Sequence, residues 1–158
     1  MKFRSLDAID AAPAQRLIHL TIDSSYPGAY PPRAVQFFKA FHSLDRILER
    51  CTLGQVLVIE QDEDVIATGA IVADEITGVF VHPQSQKLGI GGRLMDRLEN
   101  IARIGGHESV QLAVSLPSRG FYESRGYQLL KNCSIDVGEG ERLDYWEAEK
   151  SWKTRGCV

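Results

Sequence analysis

The chain predicts an α/β domain, with a mixed, mostly antiparallel sheet of about six or seven strands flanked by about four helices. Three observations carry that reading. Short apolar runs of strand length recur along the chain, among them Gln55 to Glu60 and Val110 to Val114. Between them stand longer segments whose apolar residues return every three or four positions. Finally, Val79-Phe80-Val81 leads through His82-Pro83 into Gln86-Lys87-Leu88-Gly89-Ile90-Gly91-Gly92-Arg93, which reads as a buried strand, a turn and a glycine-rich loop opening a helix.

The elements follow in order. Lys2 to Ser5 reads as a short strand and Asp10 to Ser24 as a helix with Leu17, Ile18, Thr21 and Ile22 on one side. Ser24 to Pro32, with three prolines and a glycine, reads as a loop carrying Tyr26 and Tyr30. Arg33 to Arg50 reads as one further helix, with Val35, Phe38, Phe41 and Leu48 near helical spacing. Gln55 to Glu60 and Val65 to Val72 form a hairpin across the acidic turn Gln61 to Asp64, and Glu75 to Val81 is the next strand. The helix after the glycines places Leu94, Leu98, Ile101 and Ala102 on its inner face and Arg93, Asp96, Arg97, Glu99 and Arg103 outside, ending at Gly105-Gly106. Val110 to Val114, a short helix around Phe121-Tyr122-Glu123, and strands near Gln128 to Val137 and Glu141 to Glu149 complete the series. Neither repeats nor low-complexity linkers interrupt the 158 residues, so a single domain is expected.

Composition excludes several classes of function. A formal charge of -3 with 44 % hydrophobic residues offers no basic stripe for nucleic acid. The start, Met-Lys-Phe-Arg-Ser-Leu-Asp, lacks an apolar leader core, and no apolar stretch approaches a bilayer span. No membrane association and a cytoplasmic address are therefore expected. Cys51, Cys133 and Cys157 are odd in number and far apart, without metal-ligand or Cys-x-x-Cys spacing, and are expected to be reduced structural thiols, with Cys157 exposed. His19, His42, His82 and His107 are scattered and imply no metal site; most are expected to be solvated or capping residues, and His82, beside the loop and pinned extended before Pro83, to have a structural role.

The glycine loop is an anion site by its chemistry. Gly89, Gly91 and Gly92 allow a tight turn with converging N–H groups, and the helix that follows directs the positive end of its dipole at the same point. A phosphate ester is the expected guest. Two familiar phosphate loops do not fit. A dinucleotide fingerprint would need Gly or Ala where Leu94 stands, a shorter gap than His82 to Leu88, and an acidic residue at the end of the next strand, where Ser115 stands. G-x-x-x-x-G-K-[ST] is absent.

What remains is Gln-x-x-Gly-x-Gly, occupied by Gln86, Gly89 and Gly91, after an apolar strand ending in Val-x-Pro. It resembles the acyl-coenzyme A loop of the GNAT acetyltransferase superfamily. Ser118-Arg119-Gly120-Phe121-Tyr122-Glu123-Ser124-Arg125-Gly126-Tyr127, some thirty residues on, resembles the second signature of that family, in the family's order and spacing. Three departures accompany it. Ser115 replaces a frequent Asn and Ser118 a frequent Ala, which alters contact with the cofactor; and Lys87-Leu88 replaces a frequent Arg-Gly, keeping one charge and losing a glycine.

The resemblance implies a GNAT fold in which Ile76 to Val81 and Val110 to Ser115 splay apart. The arm of acetyl-CoA would enter there against Val79, Phe80 and Val81, with its pyrophosphate on the amides of Lys87, Leu88, Gly89, Ile90, Gly91 and Gly92. Gln86, Lys87, Arg93, Ser115, Ser118, Phe121 and Tyr122 are further cofactor candidates. Tyr122 is the candidate acid for the departing thiolate, the alternative being a tyrosine that only packs the arm. Phe121 reads as core and Glu123 as solvated. Glu75 is the candidate base, the alternative being a polar turn at Asp74-Glu75. Asp74, Tyr26 and Tyr30 are candidate contacts for the acceptor, the tyrosines equally fitting a role as anchors of their loop. The acceptor would be a primary amine on a small molecule or peptide, and a homodimer is compatible with the family. Two other readings stay open: a non-catalytic acyl-CoA sensor or interaction module, and a phosphate-ligand protein that shares only the loop.

Overall fold

The computed structural model describes residues 1–152. Its seven strands form one sheet: β1 (Lys2–Ser5), β2 (Gln55–Gln61), β3 (Asp64–Val72), β4 (Glu75–Val81), β5 (Ser109–Ser115), β6 (Gln128–Gly138) and β7 (Glu141–Ser151), in the spatial order β1-β2-β3-β4-β5-β7-β6. Every neighbouring pair is antiparallel except β4 with β5. Five helices flank the sheet: α1 (Ala11–Ser25), α2 (Pro32–Phe41), α3 (Leu44–Leu53), α4 (Ile90–Ile104) and α5 (Arg119–Ser124).

The sheet separates two apolar cores, as the alternation of its strands requires. On one face Leu94, Met95 and Leu98 of α4, with Tyr122 of α5, pack on Ile59, Ile71, Val110 and Val114. On the other, Ile18 and Ile22 of α1, Val35 of α2 and Ile47 of α3 pack with Phe80 and Leu143.

Two expectations about the helices need correction. The helix predicted over Arg33 to Arg50 is two helices. Ser43 breaks it, accepting a hydrogen bond from the backbone N–H of Arg46 at 3.3 Å as the N-cap of α3, while α2 begins with Pro32 in its first turn. Second, Glu99 is not on the solvent side of α4. It is 2 % exposed and meets Tyr127, Lys150 and Arg125 beneath the helix.

The hairpin turn lies where the acidic residues predict it, with Asp62 and Glu63 both at positive φ. Gly126, which closes α5, has φ +90°, the left-handed conformation expected of a residue ending a helix. His82 caps a short turn, its Nδ1 accepting from the backbone N–H of Gln84 at 3.1 Å. His42 is not solvated; it is buried against Phe80. Cys51 and Cys133 are half-buried free thiols, and Cys157 lies outside the described residues.

Candidate active site

The functional geometry starts with the one parallel pair in the sheet. β4 and β5 are in register only at Glu75 and Gln111, after which they separate toward Val81 and Ser115. A β-bulge lies in β4 beside the gap: Ala70 faces Thr77 and Thr68 faces Phe80, so Gly78 and Val79 together stand opposite Gly69. Gly78 takes φ +64° at the bulge, a conformation that disfavours any side chain. An added Cβ there would also lie 3.0 Å from a guanidinium nitrogen of Arg50.

The loop after β4 closes on itself before α4 begins. The Gln86 side chain donates from Nε2 to the carbonyl of Val81 at 3.0 Å, so this residue ties the loop to the strand. Gly89 is the N-cap of α4 with φ +80°. The first intrahelical bond links Arg93 N–H to Gly89 O at 3.2 Å, which leaves the amides of Ile90, Gly91 and Gly92 without an acceptor among the described residues. Gly91 serves packing as well as approach: a Cβ on it would stand 3.3 Å from the ring of Phe121 and 3.6 Å from Val81. Phe121, read from sequence as core, is 38 % exposed at this junction. Lys87 and Leu88 are exposed loop residues, while Arg93 lies 4.9 Å from the ring centroid of Phe3. Arg125, which the sequence did not single out, reaches α4 beside Gly92, where it binds Asp96 at 2.7 Å.

A cleft of about 410 Å³ occupies the gap between the strands. Val79, Phe80, Ser115, Ser118 and Tyr122 border it toward the loop, and Tyr26, His42 and Glu75 toward α2 and the closed end of the split. Tyr122 is 7 % exposed, and its hydroxyl has no hydrogen-bond partner among the described residues. Burial, reinforced by the nearby Tyr26, pushes its pKa above the ordinary phenol value, so it remains a proton donor at neutral pH. Ser115 and Ser118, separated by 2.7 Å between hydroxyl oxygens, receive the Tyr26 hydroxyl, which donates to Ser115 at 3.2 Å.

The two loop tyrosines separate in role. Tyr26 caps the end of α1 and meets Phe38 edge-on at 4.8 Å, forming part of the cleft wall. Tyr30 is buried away from the wall, donating to the carbonyl of Asp144 at 2.6 Å and accepting from Leu116 N–H at 2.9 Å. It is an internal strut between β7 and the end of β5, not a cover for a ligand. Asp74 lies in the β3–β4 turn, where its carbonyl accepts from Gln111 N–H at 2.9 Å. Glu75, the first residue of β4, is exposed at the closed end of the split and does border the cleft.

His42 and Arg50 are the residues that sequence reasoning missed. Arg50 donates to His42 Nδ1 at 3.1 Å and to the carbonyl of Phe41 at 3.0 Å. Burial, with the Arg50 charge beside it, lowers the imidazole pKa to about 3. Phe37, Phe38 and Phe41 extend the same wall along α2. The signal was present as Ser43 with Asp45 two residues later, a helix-start pattern that places His42 at a break.

No group of three or more potential metal ligands occurs among the described residues, and no helix there is long and apolar enough to cross a membrane.

Comparison with known proteins places this geometry. Residues 52–129 match the family model described as an acetyltransferase (GNAT) domain. The chain superposes on a GCN5-related N-acetyltransferase from Rhodopseudomonas palustris with a TM-score of 0.86 at 20 % identity, covering 95 % of this chain and 94 % of that one. It superposes on the PaiA N-acetyltransferase of Thermoplasma acidophilum, solved in complex with coenzyme A, with a TM-score of 0.74 at 18 % identity, covering 96 % and 98 %. YncA of Salmonella typhimurium, solved with its cofactor acetyl-CoA, gives 0.69 at 20 % identity, covering 100 % and 97 %. No curated protein sequence matches the chain. The family match, just under half of the chain, runs from the end of α3 into β6 and takes in β2 through α5, the elements that build the split and the glycine loop; the chain as a whole has the fold of the GNAT acetyltransferases.

Proposed function

We propose that the protein is an N-acetyltransferase that carries an acetyl group from acetyl-CoA to a primary amine within the β4–β5 cleft. The observation that carries this reading is the continuity of the split with the unpaired amides of Ile90, Gly91 and Gly92 at its open end. An extended thioester arm fits between strands that no longer pair, where the free backbone groups of β4 offer it hydrogen bonds. A pyrophosphate fits the amides at the start of α4, where the helix dipole favours negative charge.

The reaction joins the amine nitrogen to the acetyl carbon, breaks the carbon–sulfur bond and returns a proton to sulfur. An alkylamine titrates at about 10 and a thiol at about 8.5, so the chain has to remove a proton at one end and supply one at the other. Tyr122, with its hydroxyl unpaired and its proton retained, is the residue for the sulfur. Glu75 stands at the closed end of the split, about 10 Å along β4 from Val79 because the bulge makes that stretch span only three residues of β3, where it attracts the ammonium and takes its proton through water. Val79, Phe80, Ser115 and Ser118 border the arm, Gln86 holds the loop shut, and Lys87 is the loop's exposed cation.

Calorimetric titration with acetyl-CoA, using ATP and NAD as comparators, tests the donor. Selective micromolar binding is expected, and preference for ATP or NAD would overturn the reading. Release of free thiol on adding an amine then separates an enzyme from a module that only holds acyl-CoA.

A further inference from the structure

Scattered apolar residues on a surface need no explanation, but several converging on one cavity do. Phe37 and Phe41 of α2 are each 40 % exposed and Leu130 of β6 is 58 % exposed, and all three open onto the cleft that holds the proposed acyl-transfer site. Phe38 and Tyr145 complete these walls. The rings are held in place: Tyr26 meets Phe38 edge-on at 4.8 Å, and Arg50 lies 5.4 Å from the Phe41 centroid.

The floor between the walls is acidic. Glu75 is in register with Gln111, and Ala113 with Glu147, which puts the two glutamates on β4 and β7 at either side of β5; both border the cleft. No ion pair engages either carboxylate among the described residues. The Arg50 guanidinium feels the Glu75 charge from behind His42, and His42 adds no cation of its own to the wall. Two further side chains border the site as nine-tenths-buried polar groups: Tyr122, whose hydroxyl is unpartnered, and His42, whose Nδ1 is occupied by Arg50, leaving Nε2 as the N–H of the neutral ring.

We infer that the acceptor is a small primary amine with an apolar, ring-sized arm, its ammonium drawn to Glu75 and Glu147 and its arm held between Phe37 and Phe41 on one side and Leu130 and Tyr145 on the other. The inference rests on the acyltransferase reading and names the acceptor class for that site. A second ammonium on the arm, as in a polyamine, would lie against Phe and Leu surface and lose hydration without a partner. A hydroxyl-bearing arm would gain no hydrogen bond from Phe37, Phe41 or Leu130 in exchange for its own desolvation.

The test compares 2-phenylethylamine, ethanolamine and spermidine as acceptors for the full chain, then repeats the series with Phe41→Ala and Leu130→Ser. Leu130 is exposed, so its substitution leaves the core intact. 2-Phenylethylamine is expected to exceed ethanolamine in kcat/KM by about tenfold or more, the range a hydrophobic pocket achieves. Each variant should reduce that ratio about fivefold or more while acetyl-CoA affinity stays within about twofold. Equal use of ethanolamine, preference for spermidine, or an unchanged ratio in both variants would overturn the inference. So would sedimentation showing a dimer that Phe41→Ala dissociates without altering selectivity, since a second copy would then cover the patch. Should acetyl-CoA binding and turnover both be absent, the acyltransferase reading fails separately. Titration of 2-phenylethylamine against ethanolamine, followed by NMR on wild type and Leu130→Ser, then decides the cleft on binding alone, and equal affinities overturn it.

Discussion

Arg50 donates a hydrogen bond to His42 Nδ1 at 3.1 Å inside the protein, and because a guanidinium offers only donors, the imidazole has to accept there. The pair forms at the break between α2 and α3, under the Gly78 bulge of β4. It fixes one wall of the cleft with a neutral ring.

That pairing predicts a pH dependence of stability. The His42 pKa falls from 6.5 in the unfolded chain to about 3 in the folded one, through burial first and then through the charges of Arg50 and His19. The folded protein therefore binds fewer protons than the unfolded one between those values. The stabilisation is fully present above about pH 6.5 and is lost as pH falls toward 3, by at most about 1.4 kcal/mol per pH unit. His42→Asn, which cannot titrate, should show a shallower loss of stability in urea unfolding between pH 6.5 and 4. Parallel curves for the two proteins would show that His42 is not held neutral.

Gly91→Val should reduce acetyl-CoA affinity about tenfold or more by calorimetry. A Cβ at that position already stands 3.3 Å from Phe121 and 3.6 Å from Val81, so a branched side chain displaces the start of α4 from the end of β4. Unchanged affinity would remove the helix N-terminus from the binding site.

Tyr122→Phe should lower kcat by about 10- to 100-fold with little change in acetyl-CoA affinity, the pattern of a lost proton donor. Because the hydroxyl has no partner among the described residues, its removal leaves no orphaned polar group, and the melting temperature should not fall. Wild-type turnover in the variant would assign the ring to packing.

Glu99→Ala should cost about 2–3 kcal/mol of folding stability. Glu99 is 2 % exposed, accepts from Tyr127 at 2.9 Å and from Lys150 at 2.9 Å, and lies 3.5 Å from Arg125. Its loss leaves two partly buried cations and a phenol facing a cavity. A shift in midpoint of denaturation measures the effect, and a change below about 0.5 kcal/mol would show the network to be dispensable.

The elements with the strongest local signals were legible in the sequence. The Gln61 to Asp64 turn, the Gly89 start of α4 and the Gly126 stop of α5 each depend on backbone conformations that few residues supply, so their residues identify them. The Arg33 to Arg50 segment was not legible as two helices because its apolar spacing continues across Ser43, and a single capping residue outweighs that period only once α2 and α3 pack separately. Glu99 was assigned to solvent because a charged residue on a helix usually belongs there. Its partners come from β7 and from the chain after α5, far away in sequence.

By itself the sequence determined the order of strands and helices apart from the α2–α3 break, the glycine loop and the Phe-Tyr-Glu helix, since periodicity, turn chemistry and short motifs are local properties of the chain. Only the tertiary structure decided that Tyr30 is a strut while Tyr26 lines the cleft, that Glu75 rather than Asp74 borders it, and that His42, Phe37 and Phe41 meet Leu130 and Glu147 across it. Those are matters of which residues face one another over long separations. They are set by sheet register and by the packing of helices on it, which no single stretch of chain encodes.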